Sequence, residues 1–276
     1  MYISKELADL MEKSEIDYMI DRMKAIQERP GNPMGIDIQT FGGAAAFYSQ
    51  AMPWPQFNTV KGIGEQEAER LDEILEFYRK RQGRCQFEVV PSKSHPKLMK
   101  ALFDQGYYQT GYHATLYGEP RSCETAVEHI TIRELTADEM DLYAEIHCLG
   151  TGLPISGKHH IADNNIVLYD RDGWKFYAAW VSGKPAGVGV MYIQDDTASL
   201  TFATTLAEYR SQGVQQALLE KRITEAHRSG CRIVVGQADY ASTSHRNMER
   251  AGLKLGYTRG TWVQAYADGC RVKSTD

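Results

Sequence analysis

The residues best placed to do chemistry lie together at Arg210-Ser211-Gln212-Gly213-Val214-Gln215. A strand-like run, Ala198 to Thr205, ends just before them, and a helical pattern from Ser211 to Arg228 follows. The first amides of a helix lack partners within it and sit at the positive end of its dipole, so they suit an anion. Gly213 lets a phosphate reach the backbone with no Cβ in the way, and Arg210 adds a fixed charge. Read without a ligand, the same window is an ordinary strand–helix junction.

The window resembles motif A of the GNAT acetyltransferases, an Arg/Gln-x-x-Gly-x-Gly/Ala pattern preceded by a strand and a Pro-Glu-Tyr-like turn. Here Glu208-Tyr209 stands in front and Ala217-Leu218-Leu219 behind, while Gln215 replaces the usual Gly or Ala and Ala207 the usual proline. A second stretch, Ser244 to Tyr257, is similar to the late helix and Gly-Phe/Tyr turn of the same family, and the resemblance covers about residues 128–267. It implies acetyl-CoA as cosubstrate. The pyrophosphate would be held by Arg210, Ser211, Gln212, Gly213, Val214 and Gln215, the pantetheine arm by Ala203, Thr204 and Thr205, and Asn247 would add a contact from the late helix. The activity implied is acetyl transfer to an amine of a small molecule or protein.

Such transfer needs a base for the amine proton, donors near the thioester oxygen, and an acid for the departing thiolate. Many family members place a tyrosine acid four residues before the glycine of the Gly-Phe/Tyr turn; here that position is Gly252. Tyr257, Tyr240 and His245 are replacements by nearness in sequence, and Glu208, Asp239 and His147 are the candidate bases. Each also reads as a packed aromatic or a helix-cap neighbour, and water-relayed deprotonation needs no single strong base. Gly252, Gln215 and the diverged first half equally suit a second reading, an acyl-CoA-binding or regulatory module that has lost chemistry. Other features are bland. His159-His160 have no third ligand in metal spacing, Cys148 beside His147 reads as core, and Gly183, Gly187 and Gly189 form no dinucleotide fingerprint. Met52 to Phe57 is an aromatic loop that either lines a pocket or caps a sheet.

The elements that must position these residues alternate between strand and helix, so the fold expected is α/β: two GNAT-like domains, each a mixed, mainly antiparallel sheet flanked by helices. Length allows this, since 276 residues at roughly 150 per domain give about 1.8 domains. Helices are expected over residues 4–29, 65–81, 96–105, 137–148, 211–228 and 243–255, with a hairpin joined by Ser182-Gly183-Lys184-Pro185. A weak repeat supports duplication. Phe87–Val90, Ser94-His95 and Gln105-Gly106-Tyr107 mirror Ile233–Gly236, Ser244-His245 and Leu255-Gly256-Tyr257. Residues 1–120 then form a degenerate copy, 121–127 a linker, and 128–276 the domain bearing the Arg-x-x-Gly turn. A net charge of −5 argues against a general nucleic-acid or anionic-membrane binder. Apolar runs fall short of a spanning helix, and the N-terminus has no apolar leader. Five cysteines without a CxxC pair fit reduced thiols, so a cytoplasmic protein is expected, with no metal and a possible homodimer.

Overall fold

The computed structural model describes residues 2–52, 54–123 and 129–265. Of the expected linker, residues 124–127 lie outside the described residues, as do Pro53 of the aromatic loop, Tyr266 and Cys270. The chain divides into two compact units. The larger comprises the chain up to Pro33 together with His113–Thr258, and the smaller comprises Met34–Tyr112 with the chain from Arg259 onward.

The smaller unit holds β1 (Ile36–Phe41), β2 (Ala44–Ser49), β3 (Thr59–Lys61), α2 (Leu71–Arg79), β4 (Gln86–Val89) and α3 (Pro96–Asp104), with the first half of β5 (Tyr107–Gly118) and the second half of β11 (Lys254–Gln264). Its strands run β1-β2-β3-β4-β11. Ile74, Leu75 and Tyr78 of α2 pack on Phe41, Phe87, Leu98 and Leu102. The Tyr78 hydroxyl, inside that core, donates to Phe47 O at 2.8 Å and so meets the requirement that buried polar groups be bonded.

The larger unit holds α1 (Lys5–Gln27), the rest of β5, β6 (Ile130–Glu134), α4 (Met140–Thr151), α5 (Lys158–Tyr169), β7 (Trp174–Val181), β8 (Lys184–Gln194), β9 (Thr197–Thr205), α6 (Val214–Arg228), β10 (Ile233–Asp239), α7 (Thr243–Arg250) and the start of β11. Its strand order is β5-β10-β9-β8-β7-β6. Leu218, Leu219 and Ile223 of α6 and Met248 of α7 bury against Leu200 and Val234, while α1 and α4 also pack on β9. Each unit repeats one core: an antiparallel pair, a third antiparallel strand, and a helical crossover to a parallel fourth (β1-β2-β3-α2-β4 and β7-β8-β9-α6-β10).

Two departures from the sequence reading have physical causes. Helix α5 hides its amphipathicity because its buried positions are Asn164, Asn165 and Leu168. The asparagines are satisfied by Arg29, by Arg22 at 3.5 Å and by Ile161 O at 2.8 Å. Helix α7 ends at Arg250, not 255. Gly252 turns left-handed (φ +87), its N–H reaching Glu249 O at 2.8 Å and that of Leu253 reaching Met248 O at 3.0 Å, the paired bonds of a Schellman end. Gly106 (φ +78) likewise stands left-handed just past α3, its N–H on Phe103 O at 2.9 Å, so Gly252 rather than Gly256 is its counterpart. Gly256 has a different task. A Cβ there would come 2.6 Å from Met11 Cε of α1.

Gly252 therefore stands beyond the helix, and no tyrosine at this position is carried on a helical face. A Cβ there would also lie 2.7 Å from an Arg121 guanidinium nitrogen. Gly252→Tyr is expected to lower unfolding free energy by about 1–3 kcal/mol, measured by urea denaturation, and to bring no gain in any transferase activity.

Candidate functional site

The site begins where two strands stop pairing. β9 and β10 run parallel from Thr197–Ile233 to Leu200–Gly236. Past that point β9 continues to Thr205 paired with β8 alone among the described pairings, and β10 continues to Asp239 paired with β5. The register between β8 and β9 shifts between Val190 and Tyr192, which face Phe202 and Ser199: one extra residue on β9 bends it at the point of divergence. On the parted segments, Thr201 Oγ1, Thr205 Oγ1 and Gln237 Nε2 are buried and have no hydrogen-bond partner among the described residues. Buried polar atoms left this way are unusual in a folded protein.

At the open end the chain makes a short turn over Ala207–Tyr209 and enters α6 through two left-handed residues, Ser211 (φ +63) and Gly213 (φ +87). A left-handed non-glycine residue is uncommon, and alternation of this kind turns successive amides toward one point. A Cβ on Gly213 would meet only Ile130 Cδ1, at 3.8 Å, so the approach to the turn is open. Arg210 through Gly213 are exposed. Arg210 donates to Gly150 O at 3.3 Å, which ties the turn to the end of α4, and Gln212 donates to Glu208 O at 2.8 Å within the turn. Gly150 is itself required, because a Cβ there would collide with Thr204. The turn thus presents free helix-start amides, a guanidinium and no Cβ at its apex, a set that fits a phosphate-bearing group.

The remaining sequence candidates scatter. Val214 is buried in the core, Gln215 is half-buried in the first turn of α6, and Asn247 on α7 accepts from Arg250 at 3.0 Å. Tyr240 is exposed just past β10, its ring edge-on to His245 at 5.5 Å. His245 is buried, and its Nδ1 accepts from Ala241 N at 3.2 Å, which makes it a cap of the α7 entry. Tyr257 is buried on β11, and Glu208 is exposed in the turn before the cradle. Asp239 pairs with His113 Nδ1 at 2.9 Å; extending the β9–β10 register puts Asp239 level with Ala203 on the facing wall.

His147 lies flat on Phe202 of β9, ring centroids 4.1 Å apart and planes within 10°, with Nδ1 3.2 Å from the Tyr143 hydroxyl. Burial, helped by the charge of Arg22, pushes its pKa down to about 4, so the ring is neutral at neutral pH. Arg222 escaped the sequence reading altogether. It lies within the Leu218, Leu219, Ile223 stripe of α6, and a charged residue on a core-facing stripe was the available signal.

The smaller unit has the same parallel pair, β3 and β4, but both features are filled. Both oxygens of the buried Glu67 carboxylate accept from loop amides, Gly43 N at 2.9 Å and Gly64 N at 3.0 Å. A Cβ at Gly42 (φ +66) would come 2.8 Å from that carboxylate. Next to the end of the β3–β4 pairing, Glu88 pairs with both Lys61 and Arg259, all three buried.

Residues 140–253 match the Acetyltransferase (GNAT) family. Among solved structures, a GCN5-related N-acetyltransferase from Kribbella flavida is 15% identical, with a TM-score of 0.63 over 89% of this chain and 96% of that one. A functionally unknown conserved protein from Staphylococcus epidermidis ATCC 12228 is 14% identical, TM-score 0.61, over 84% and 94%. A tandem GNAT protein from the clavulanic acid biosynthesis pathway is 13% identical, TM-score 0.59, over 87% and 86%. At these identities the likeness is one of fold. No curated protein matches the chain. Residues 140–253 are a domain of the GNAT acetyltransferase family, and the fold is α/β with two GNAT-like units. Among the described residues no group of three or more His, Cys, Asp or Glu is arranged to hold a metal ion, and no helix is long and apolar enough to cross a membrane.

The half-buried His147 gives stability a pH dependence of defined sign. Its folded pKa of about 4 lies below the ordinary value near 6.5, so the unfolded chain takes up the proton first. The contribution is complete above pH about 6.5 and is lost progressively as pH falls toward about 4, up to about 3 kcal/mol in all. Urea melts at pH 7 and pH 5 should show a smaller drop for His147→Phe than for the native chain. An equal drop in both would place the titration elsewhere.

Proposed function

We propose that the chain is an acetyl-CoA-dependent N-acetyltransferase whose larger unit binds the cosubstrate and moves its acetyl group to an amine of a small molecule or protein. The observation that carries this reading is the divergence of β9 from β10, with unpartnered buried polar atoms of Thr201, Thr205 and Gln237 on the parted segments, and the left-handed Ser211 and Gly213 in the turn that follows β9. In this reading the pyrophosphate lies on the turn with Arg210 beside it. The pantetheine amides take the places of missing strand partners along Ala203–Thr205. Filling of the equivalent features by Glu67 and the Lys61–Glu88–Arg259 cluster supports one cosubstrate per chain.

Ser211 gives a clean probe, because Asn and Asp tolerate its left-handed backbone. Calorimetry should find one acetyl-CoA per native chain and per Ser211→Asn chain, and none for Ser211→Asp, whose carboxylate would face the pyrophosphate. Binding by Ser211→Asp at native strength would remove the turn from the reading.

With Gly252 outside the helix, the departing thiolate relies on solvent or on another donor. A thiol with an ordinary pKa near 8.5 leaves readily, so a general acid adds at most about 10²–10⁴-fold. Tyr240→Phe and Tyr257→Phe should each lower kcat by less than about tenfold, followed by thiol release with a panel of amines. A hundredfold loss in either, with acetyl-CoA affinity kept, would identify that tyrosine as the acid. The second reading, a binding module without turnover, is favoured by the helix-ending role of Gly252; the same assay decides it, since such a module binds acetyl-CoA and releases no thiol with any amine.

A further inference from the structure

Arg222 is among the least exposed large side chains of the molecule, at 1%. Its guanidinium meets no carboxylate among the described residues. Nε donates to Leu218 O at 3.0 Å, and one terminal nitrogen donates to both Val190 O and Phe202 O at 3.1 Å. Val190 and Phe202 face each other across β8 and β9 at the point where the register shifts and β9 departs from β10. Space for the guanidinium is made on β8 by Gly189, where a Cβ would lie 3.0 Å from Nε and 3.2 Å from Cζ. On β9, Phe202 is held a second time by the stacked His147 ring. An apolar side chain would fill this core position without the desolvation that pulls the guanidinium pKa down to about 10. What the arginine supplies that an apolar residue cannot is a rigid bridge between two carbonyls of adjacent strands.

We propose that Arg222 is the positioning residue that holds β9 in its bent path away from β10, and so fixes the wall along which the acyl-CoA arm lies. The proposal rests on the acetyl-CoA reading above. A helix residue that clamps strand carbonyls from behind touches no cosubstrate. It acts through the geometry of residues 201–205, where the chain has no second strand to keep it in place.

The test pairs acetyl-CoA affinity, by calorimetry, with amide hydrogen exchange over residues 201–205. Arg222→Met puts an unbranched apolar chain in the same space and removes the bridge. About tenfold weaker binding is expected, with faster exchange confined to 201–205 and a near-native melting temperature. Arg222→Lys keeps a donor of shorter reach and should recover part of the lost affinity. Gly189→Ala keeps the charge but pushes the guanidinium off its acceptors, and should weaken binding in the same direction; it also serves if Arg222→Met does not fold. Folded Arg222→Met or Gly189→Ala chains that bind acetyl-CoA within about twofold of native, with unchanged exchange at 201–205, would overturn the proposal. Failure of the acetyl-CoA reading is distinguishable, because the native chain itself would then not bind, while the exchange measurement would still report on the clamp.

Discussion

The larger unit depends on one constraint: two parallel strands that pair over four residues and must then part. A sheet normally keeps its ladder, because unpaired backbone groups in the interior are costly. Here β9 is bent away after Leu200 by a register shift against β8, and the helix that crosses over to β10 starts at the wide end of the gap. Every other feature of the candidate site follows from that divergence: the turn into α6, the left-handed Ser211 and Gly213, the close seating of Gly150 on Thr204, and the polar atoms of Thr201, Thr205 and Gln237. The energetics are finely balanced. Burying a guanidinium costs several kcal/mol, and hydrogen bonds to a charged group return about 1.5–3 kcal/mol each. The three carbonyls that Arg222 engages are thus of the size needed to offset its burial.

The smaller unit shows the same topology with its turn and strand ends occupied by its own side chains. Its β3 and β4 pair in parallel and its helix follows in the same order, yet its own side chains take each position that the larger unit leaves open. The Glu67 carboxylate is a covalently attached anion on loop amides, with Gly42 and Gly43 shaped around it, and Lys61, Glu88 and Arg259 form a buried ion cluster next to the end of the β3–β4 pairing. One architecture accounts for both halves, open at the turn in the larger unit and filled by side chains in the smaller.

Much of this was legible in the sequence. The Arg210–Gln215 window as a strand–helix junction and the alternation of strands and helices rest on local residue chemistry, which a single chain displays directly. The repeat was legible in its element order but not in its register, since His95 caps α3 while Ser242, not Ser244-His245, caps α7. What escaped was long-range. The two asparagines on the inner face of α5 read as polar surface because their partners, Arg22 and Arg29, lie far away in sequence. Counting back from Gly256-Tyr257 puts Gly252 at the acid position, whereas its backbone angle makes it the helix stop that corresponds to Gly106. Glu67 reads as a first-turn helix residue until Gly43 is brought to it. The register shift that parts β9 from β10 leaves no mark in either strand's composition.

The central claim, that the parted strands form the acyl-CoA slot, is tested most directly by a crystal structure of the chain with acetyl-CoA. The account predicts one molecule, its pyrophosphate on the Ser211–Gly213 amides and its thioester between Ala203 and Asp239, with Thr201, Thr205 or Gln237 gaining a partner. Acetyl-CoA bound elsewhere, with β9 and β10 unaltered and those three residues still unpartnered, would contradict it.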